Sequence, residues 1–150
     1  MGIIKRTFKT MEIKIAVTED DILKCKEAIF ALRPHLDEAG FVSVVKEMIS
    51  EGYKLAFIEE DNKAAAAIGY RYLQFLYNGK HFYIDDLSTL PAYRGKGYAG
   101  MLLDYVTTEA IKLGYKEITL DSGHHRTDAH RLYLNKKFAI AAHHFTKKIQ

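Results

Sequence analysis

The alternation of polar and apolar side chains predicts a first strand from Glu12 to Val17. Thr18 follows, with Asp21 three residues later, a spacing that favours a capped helix start. The helix that begins here should end at Pro34, because proline cannot continue it. Its apolar positions keep a helical spacing and are Ile22, Cys25, Ile29 and Leu32.

A second helix and three strands are predicted in the middle of the chain. Apolar residues at helical spacing indicate a helix from Phe41 to Ile49. Runs of apolar and aromatic residues indicate strands at 53–59, 64–76 and 81–90. The Asn-Gly pair at 78–79 is the strongest short signal for a hairpin, so we expect the last two strands to be antiparallel neighbours.

The last third of the chain is predicted to contain two helices and two strands. A helix from Ala99 to Leu113 is followed by a strand at 116–121, a helix at 127–136 and a final strand at 138–149. The complete order is β-α-α-β-β-β-α-β-α-β. This order predicts a single-domain mixed α/β fold, with a mostly antiparallel sheet flanked by helices.

Composition narrows the class of protein. The 150 residues carry a net charge of +3, and lysines and arginines are interleaved with acids, which argues against a nucleic-acid partner. Cys25 is the single cysteine, so we expect a reducing compartment, the cytoplasm. No apolar run is long enough for a membrane span or a leader, so no membrane partner is expected. Residues 1–10 are a candidate N-terminal extension, because Met11 is a second candidate start.

Residues 91–100, PAYRGKGYAG, contain three glycines in the spacing G-x-G-x-x-G between a predicted strand and a predicted helix. Glycines let backbone N–H groups approach a phosphate closely, and the helix that follows presents its positive N-terminal end. Arg94 and Lys96 add positive charge. Together these features predict an anion-binding loop.

Two well-known phosphate sites fit this loop poorly. A Rossmann site would use Asp121, about twenty residues past Gly100, as its ribose-binding acid. However, four residues separate the strand from Gly95, and only 29 residues follow Asp121, too few for the remaining crossovers. A P-loop requires Ser or Thr after the lysine, where this chain has Gly97.

The segment LSTLPAYRGKGYAGMLL resembles the acyl-CoA loop of the GNAT superfamily of N-acyltransferases, whose signature is Arg/Gln-x-x-Gly-x-Gly/Ala. The residues that fill this signature are Arg94, Gly97 and Ala99. Further on, DAHRLYLNKKF resembles the family segment Ala-x-x-Leu-Tyr-x-x-x-Gly-Phe through Ala129, Leu132, Tyr133 and Phe138. The chain departs from the family at Lys137, where glycine is usual, and at Arg126, where an asparagine often contacts the pantetheine arm.

The resemblance implies an N-acetyltransferase that uses acetyl-CoA as co-substrate and no metal. The pyrophosphate would lie on the backbone of residues 95–100. The pantetheine amides would pair with the backbone of residues 87–89 as an added strand does. The implied cofactor-binding residues are Leu87, Ser88, Thr89, Arg94, Gly95, Lys96, Gly97, Tyr98, Ala99, Gly100 and Arg126.

Transfer of an acetyl group to an amine uses a base for the amine and an acid for the leaving thiolate. By the resemblance, Tyr133 is the candidate acid, and Asp85 stands where the family's water-positioning acid often falls. Asp86 is a second candidate. Successive side chains of a strand point to opposite faces, so we expect Asp86 on the buried face, with Phe82 and Ile84. Asp85 should lie on the opposite face.

Other residues with reactive or charged side chains give weaker indications of function. Cys25 lies on the apolar stripe of the first helix and is expected to be a buried hydrophobic residue. Asp37 and Glu38, together with the aspartates at 85–86, suggest a small cationic amine as acceptor. No histidine spacing matches a zinc site; the histidines in question are His124, His125, His130, His143 and His144.

Two alternative functions remain open from the residues. One is an acyl-CoA-binding regulatory domain without turnover, and the other is a protein N-acetyltransferase with an open groove. The final predicted strand, at 138–149, is apolar and long for the edge of a sheet. We therefore expect a homodimer.

Overall fold

A computed structural model describes residues 11–150, so the candidate extension at 1–10 lies outside the described part of the chain. This part contains five strands and four α-helices, and a short 3₁₀ helix at Pro91–Tyr93. None of its helices is long and apolar enough to cross a membrane. The elements are β1 (Ile13–Ile15), α1 (Glu19–Leu32), α2 (Phe41–Ser50), β2 (Lys54–Glu60), β3 (Lys63–Phe75), β4 (Gly79–Thr89), α3 (Tyr98–Lys112), β5 (Ile118–Leu120) and α4 (Thr127–Asn135).

The five strands form one sheet in the order β1-β2-β3-β4-β5. The first four strands are antiparallel neighbours, whereas β4 and β5 are parallel. The Asn-Gly pair lies where the chain turns from β3 into β4, as the hairpin signal predicts. The predicted fold class is therefore confirmed: a mixed α/β fold with a mostly antiparallel sheet and flanking helices.

A capping box fixes the start of α1. The side-chain oxygen of Thr18 accepts the backbone N–H of Asp21 at 3.1 Å, and the Asp21 carboxylate accepts the N–H of Thr18 at 2.9 Å. These reciprocal bonds satisfy N–H groups that the start of a helix leaves free. The helix ends at Leu32, two residues before Pro34, and this places Arg33 as the C-cap residue.

The core fills both faces of the central strands. Residues 55–58 of β2 and 64–68 of β3 have at most 1% of their surface exposed. Strands that are covered on both faces carry continuous apolar runs in place of alternation. In β3 that run begins with four consecutive alanines, and both α1 and α3 pack against this strand. Small side chains therefore keep the covering helices close to the sheet.

The prediction of a final strand at 138–149 is wrong. Residues 138–150 form neither helix nor strand, and the side chains of Ile140, Phe145 and Ile149 are 86–94% exposed. Alternating polarity produces a strand only where a neighbouring strand supplies side-chain pairs. The sheet edge at β5 is only three residues long and offers few such pairs. The observed order of elements is therefore β-α-α-β-β-β-α-β-α.

Candidate active site

Strands β4 and β5 separate at one point of the sheet and open a cleft. Their pairing ends where Ile84 lies opposite Leu120, whereas β4 continues to Thr89 paired with β3 alone. The backbone of residues 87–89 thus has no strand on its β5 side. A cleft of about 540 Å³ lies at this opening. The charged and phenolic residues that line it are Arg33, Asp85, Asp86, Asp121, Arg126 and Tyr133.

A β-bulge in β4 sets the direction of the aspartate pair. Ile84 lies opposite Tyr70 and Asp86 lies opposite Gly69, so Asp85 has no partner on β3. An extra residue in one strand interrupts the alternation of side chains between the two faces. The predicted placement of Asp86 on the buried face, beside Ile84, is therefore wrong. Both aspartates lie in one cluster, since Arg33 donates to the side chain of Asp86 and to the carbonyl of Asp85.

Asp86 is held from two sides. Its Oδ1 accepts the Nε–H of Arg33 at 3.0 Å, and its Oδ2 accepts the hydroxyl of Tyr53 at 2.9 Å. Burial raises the pKa of Tyr53, and the charge of Asp86 adds to this effect, so the phenol stays protonated and donates. Gly69 makes room for the Tyr53 ring, since a Cβ at that position would lie 1.8 Å from the hydroxyl oxygen.

Asp85 forms a bidentate ion pair with Arg71, with N–O distances from 2.7 to 3.0 Å. Burial raises the pKa of Asp85, although Arg71 acts in the opposite direction. A raised pKa makes a carboxylate a better proton acceptor near neutral pH. The guanidinium of Arg71 also lies 5.5 Å from the ring centroid of Tyr53, and Arg33 donates to the carbonyl of Asp85 at 2.9 Å. Shared partners thus join the two aspartates.

The glycine loop, residues 94–100, leads into α3 with two glycines in the left-handed conformation. Gly95 and Gly97 have φ angles of 81° and 80°, a region that favours glycine. A Cβ at either position would meet nothing within 4 Å. Glycine is therefore favoured here by the backbone conformation, since there is room for a side chain. The helix begins at Tyr98 without a side-chain cap. Its first N–H groups therefore have no partner within the helix and are available to an anion.

The side chains of this loop differ in their surroundings. Arg94 is exposed, whereas the ammonium of Lys96 lies 3.2 Å from the carboxylate of Glu60 and 5.2 Å from the ring centroid of Tyr93. Tyr98 is 6% exposed and its hydroxyl donates to Glu60 at 2.8 Å. The side chains of Lys96 and Tyr98 are thus bonded to Glu60. These two residues can contribute their backbone N–H groups to the binding of a ligand.

Tyr133 lies on α4 and lines the cleft. Burial raises the pKa of its phenol, and the charge of Arg126 acts in the opposite direction. The phenol is therefore protonated at neutral pH and can serve as a proton donor. Arg126, which precedes the first residue of α4, and His125 line the same cleft.

Four residues from distant parts of the chain contact the site residues and were not predicted from the sequence. Lys136 is one of them: its Cε lies 3.2 Å from where a Cβ of Gly100 would be, and its ammonium pairs with Asp104 at 2.7 Å. No local pattern signals these residues, because each reaches the site only through folding. The full set is Arg33, Tyr53, Arg71 and Lys136.

Several other residues proposed from the sequence form contacts outside the candidate active site. Asp37 accepts the backbone N–H of Gly40 at 2.8 Å, and Glu38 pairs with Lys26. Cys25 is buried as predicted, and burial raises the pKa of its thiol to about 12. Within residues 11–150, no group of three or more His, Cys, Asp or Glu side chains is placed to hold a metal ion.

Comparison with known sequences identifies the family. The sequence model of the Acetyltransferase (GNAT) family matches residues 21–138. Uncharacterized N-acetyltransferase YhdJ of Bacillus subtilis (strain 168) is 35% identical over 120 residues, which are 79% of this chain and 84% of that protein. The chain therefore belongs to the GNAT acetyltransferase family. It is an acyltransferase that uses acetyl-CoA to acetylate nitrogen.

Solved structures share the fold. A predicted acetyltransferase from Clostridium acetobutylicum, determined with acetyl-CoA, has a TM-score of 0.74 at 20% identity, over 92% of this chain and 96% of that chain. The aminoglycoside antibiotic 6'-N-acetyltransferase AAC(6')-IG from Acinetobacter haemolyticus has a TM-score of 0.71 at 18% identity, over 93% and 100% of the two chains. At these identities the comparison establishes the common fold.

Proposed function

We propose that this enzyme acetylates a primary amine of a small cationic metabolite, by direct transfer in a complex that holds acetyl-CoA and the amine together. The observation that carries the proposal is the cleft between β4 and β5, which brings Asp85 and Tyr133 to one opening. Its volume of about 540 Å³ is that of a small-molecule site.

The residues present fit acetyl-CoA, which supplies the acetyl group. Its pyrophosphate would lie on the backbone N–H groups of residues 95–100, at the start of α3. Its pantetheine arm would pair with residues 87–89, whose β5 side is open. The Thr89 hydroxyl is buried and lacks a hydrogen-bond partner among residues 11–150. The end of β4 can therefore form a hydrogen bond with a ligand. Arg126 stands where the family's asparagine contacts that arm.

In the proposed reaction, the amine nitrogen bonds to the acetyl carbon while the carbon–sulfur bond breaks. Asp85 takes the proton that the amine loses, directly or through a water molecule. Tyr133 donates its proton to the leaving thiolate and recovers one from water. Burial raises the pKa of Asp85, so we assign Asp85 to the base. Asp86, which is bonded to Arg33 and Tyr53, is assigned to positioning the bulge.

A panel of amines tests the proposal. With acetyl-CoA and purified enzyme, small cationic primary amines should release free thiol faster than neutral amines of similar size, because the cleft carries several carboxylates. Release of thiol should stop when the amine is omitted. If peptides are acetylated faster than every small amine, or if no amine is acetylated, the proposed substrate class is wrong.

We also propose that the enzyme is a homodimer in the cytoplasm. Residues 138–150 expose Ile140, Phe145 and Ile149, and contact with a second copy would remove these apolar side chains from water. The single cysteine, Cys25, is compatible with a reducing compartment. A solution mass of one chain at micromolar concentration would contradict the dimer.

A further inference from the structure

Asp121 and Asp85 line the same cleft, at the point where β4 and β5 separate. The last paired residues of the two strands are Ile84 and Leu120. Asp85 is the next residue of β4, and Asp121 is the first residue after β5. Paired parallel strands lie about 4.8 Å apart, and these two diverge beyond the last pair. The Asp121 carboxylate accepts the hydroxyl of Tyr83 at 2.7 Å, which fixes its position on the β4 side of the opening.

The charges in the cleft are unequally neutralised. Asp85 is paired with Arg71 and Asp86 with Arg33, whereas Asp121 forms no ion pair with any lysine or arginine of residues 11–150. Its charged neighbour is the imidazole of His144, 3.6 Å away, which is positive only when protonated. Asp121 is also 48% exposed, so a ligand can reach it.

The cleft also contains a cation without an acidic partner in the described part of the chain, Arg126. It precedes the first residue of α4, the helix that carries Tyr133. Asp121 accepts a hydrogen bond from Tyr83 of β4, two residues before Asp85. The cleft therefore contains a positive charge suited to an anionic cofactor, on Arg126, and a carboxylate suited to a cation, on Asp121.

We propose that Asp121 binds a second cationic group of the acceptor, which makes the preferred substrate a compound with two amine groups. This inference rests on the proposed function, in which Asp85 deprotonates the reacting nitrogen. That nitrogen is neutral when it attacks, so it gives a carboxylate no charge to pair with. A second ammonium remains charged, and Asp121 is the carboxylate of this cleft that has no lysine or arginine partner among residues 11–150.

The test compares two acceptors of equal length, butane-1,4-diamine and 4-aminobutan-1-ol, which differ only in the second amine. Wild-type enzyme should have the higher kcat/KM with the diamine. Asp121→Asn should lower kcat/KM for the diamine about ten- to hundredfold, mainly through KM, since it removes one charge-assisted contact. Its effect on the amino alcohol should be small. Asp128→Asn makes the same change of charge at a side chain that is 97% exposed, and should leave both values unchanged.

Two further variants distinguish recognition of the acceptor by Asp121 from a purely structural role of this residue. Asp121→Glu keeps the charge and should retain much of the preference for the diamine. Tyr83→Phe removes the hydrogen bond to Asp121 but keeps its charge, so the preference should persist. An equal loss with both acceptors in Asp121→Asn would overturn the proposal, as would a Tyr83→Phe variant that reproduces the Asp121→Asn loss.

Thermal unfolding gives a readout that does not need turnover. In the presence of coenzyme A, the diamine should raise the Tm of wild-type enzyme and should not raise the Tm of Asp121→Asn. No shift in wild type would overturn the role of Asp121, even if other amines are acetylated. Failure of the proposed function would be distinct, because then acetyl-CoA itself would give no shift or no amine would release thiol.

Discussion

The glycine loop and the aspartate pair are built in different ways. The glycine loop takes its shape from consecutive residues, since Gly95 and Gly97 adopt the left-handed conformation and α3 begins at the next position. The aspartate pair depends on contacts from three separate parts of the chain. Those contacts come from the end of α1, the residue before β2 and the middle of β3, and the residues are Arg33, Tyr53 and Arg71.

This difference has a consequence for substitutions. A change in the loop alters one local backbone conformation and should act on binding of acetyl-CoA. A change in the aspartate cluster disturbs charges and packing shared by several elements, and should act on turnover and stability together. The following variants test that separation.

The largest effect should come from Gly97→Val. A side chain at a φ of 80° costs about 1–2 kcal/mol and obstructs the approach of a phosphate to the N–H groups. Acetyl-CoA, which should raise the Tm of wild-type enzyme more than NAD or ATP does, should no longer raise it in this variant.

Gly52→Val is the matched control for this change. Gly52 also has a positive φ, 102°, and open space around its Cβ position, but it lies between α2 and β2. This control should lose a similar amount of stability and keep the full response to acetyl-CoA. An undiminished response in Gly97→Val would show that the loop does not hold the cofactor.

Tyr133→Phe should lower kcat by about a hundredfold, the usual scale for loss of a general acid. Binding of acetyl-CoA, measured by calorimetry, should change little because the ring is kept. Tyr77→Phe removes a phenol that is 81% exposed and should have normal kinetics. Near-normal turnover of Tyr133→Phe would mean that the thiolate leaves without help from this residue.

Asp85→Asn should slow the reaction about tenfold at neutral pH, since water remains as a poorer proton acceptor. Burial raises the pKa of Asp85, so the wild-type rate should fall as the pH drops through a value above the ordinary aspartate range, where the base becomes protonated. The variant should lack this acidic limb. A pH profile of kcat that is the same in both enzymes would exclude Asp85 as the base.

Gly69→Ala should be the smallest of these changes in activity but should cost about 1–3 kcal/mol of unfolding free energy, because the new methyl overlaps the Tyr53 ring. Denaturant unfolding measures this cost. In a Tyr53→Leu background the same substitution should cost less, since the overlapping ring is gone. Equal costs in both backgrounds would show that Tyr53 does not limit the space at Gly69.

Sequence patterns predicted local features well and failed where pairing with another element mattered. Thr18 and Asp21 form the predicted capping box, and the Asn-Gly pair lies at the predicted hairpin. Alternation failed at Asp86, because a bulge changes which face a side chain occupies. It failed again at 138–149, because a strand needs a neighbour that the short β5 does not provide.

The sequence by itself determined the order of elements as far as α4, the fold class and the glycine loop before α3, since these depend on periodicity and on the conformational preferences of neighbouring residues. Only the tertiary structure decided which arginine neutralises each aspartate. Arg33 and Asp86 are 53 positions apart, and Tyr83 and Asp121 are 38 apart. Contacts over such separations depend on strand register and on where β4 and β5 diverge. Side chains that pair only after folding leave no periodic pattern along the chain.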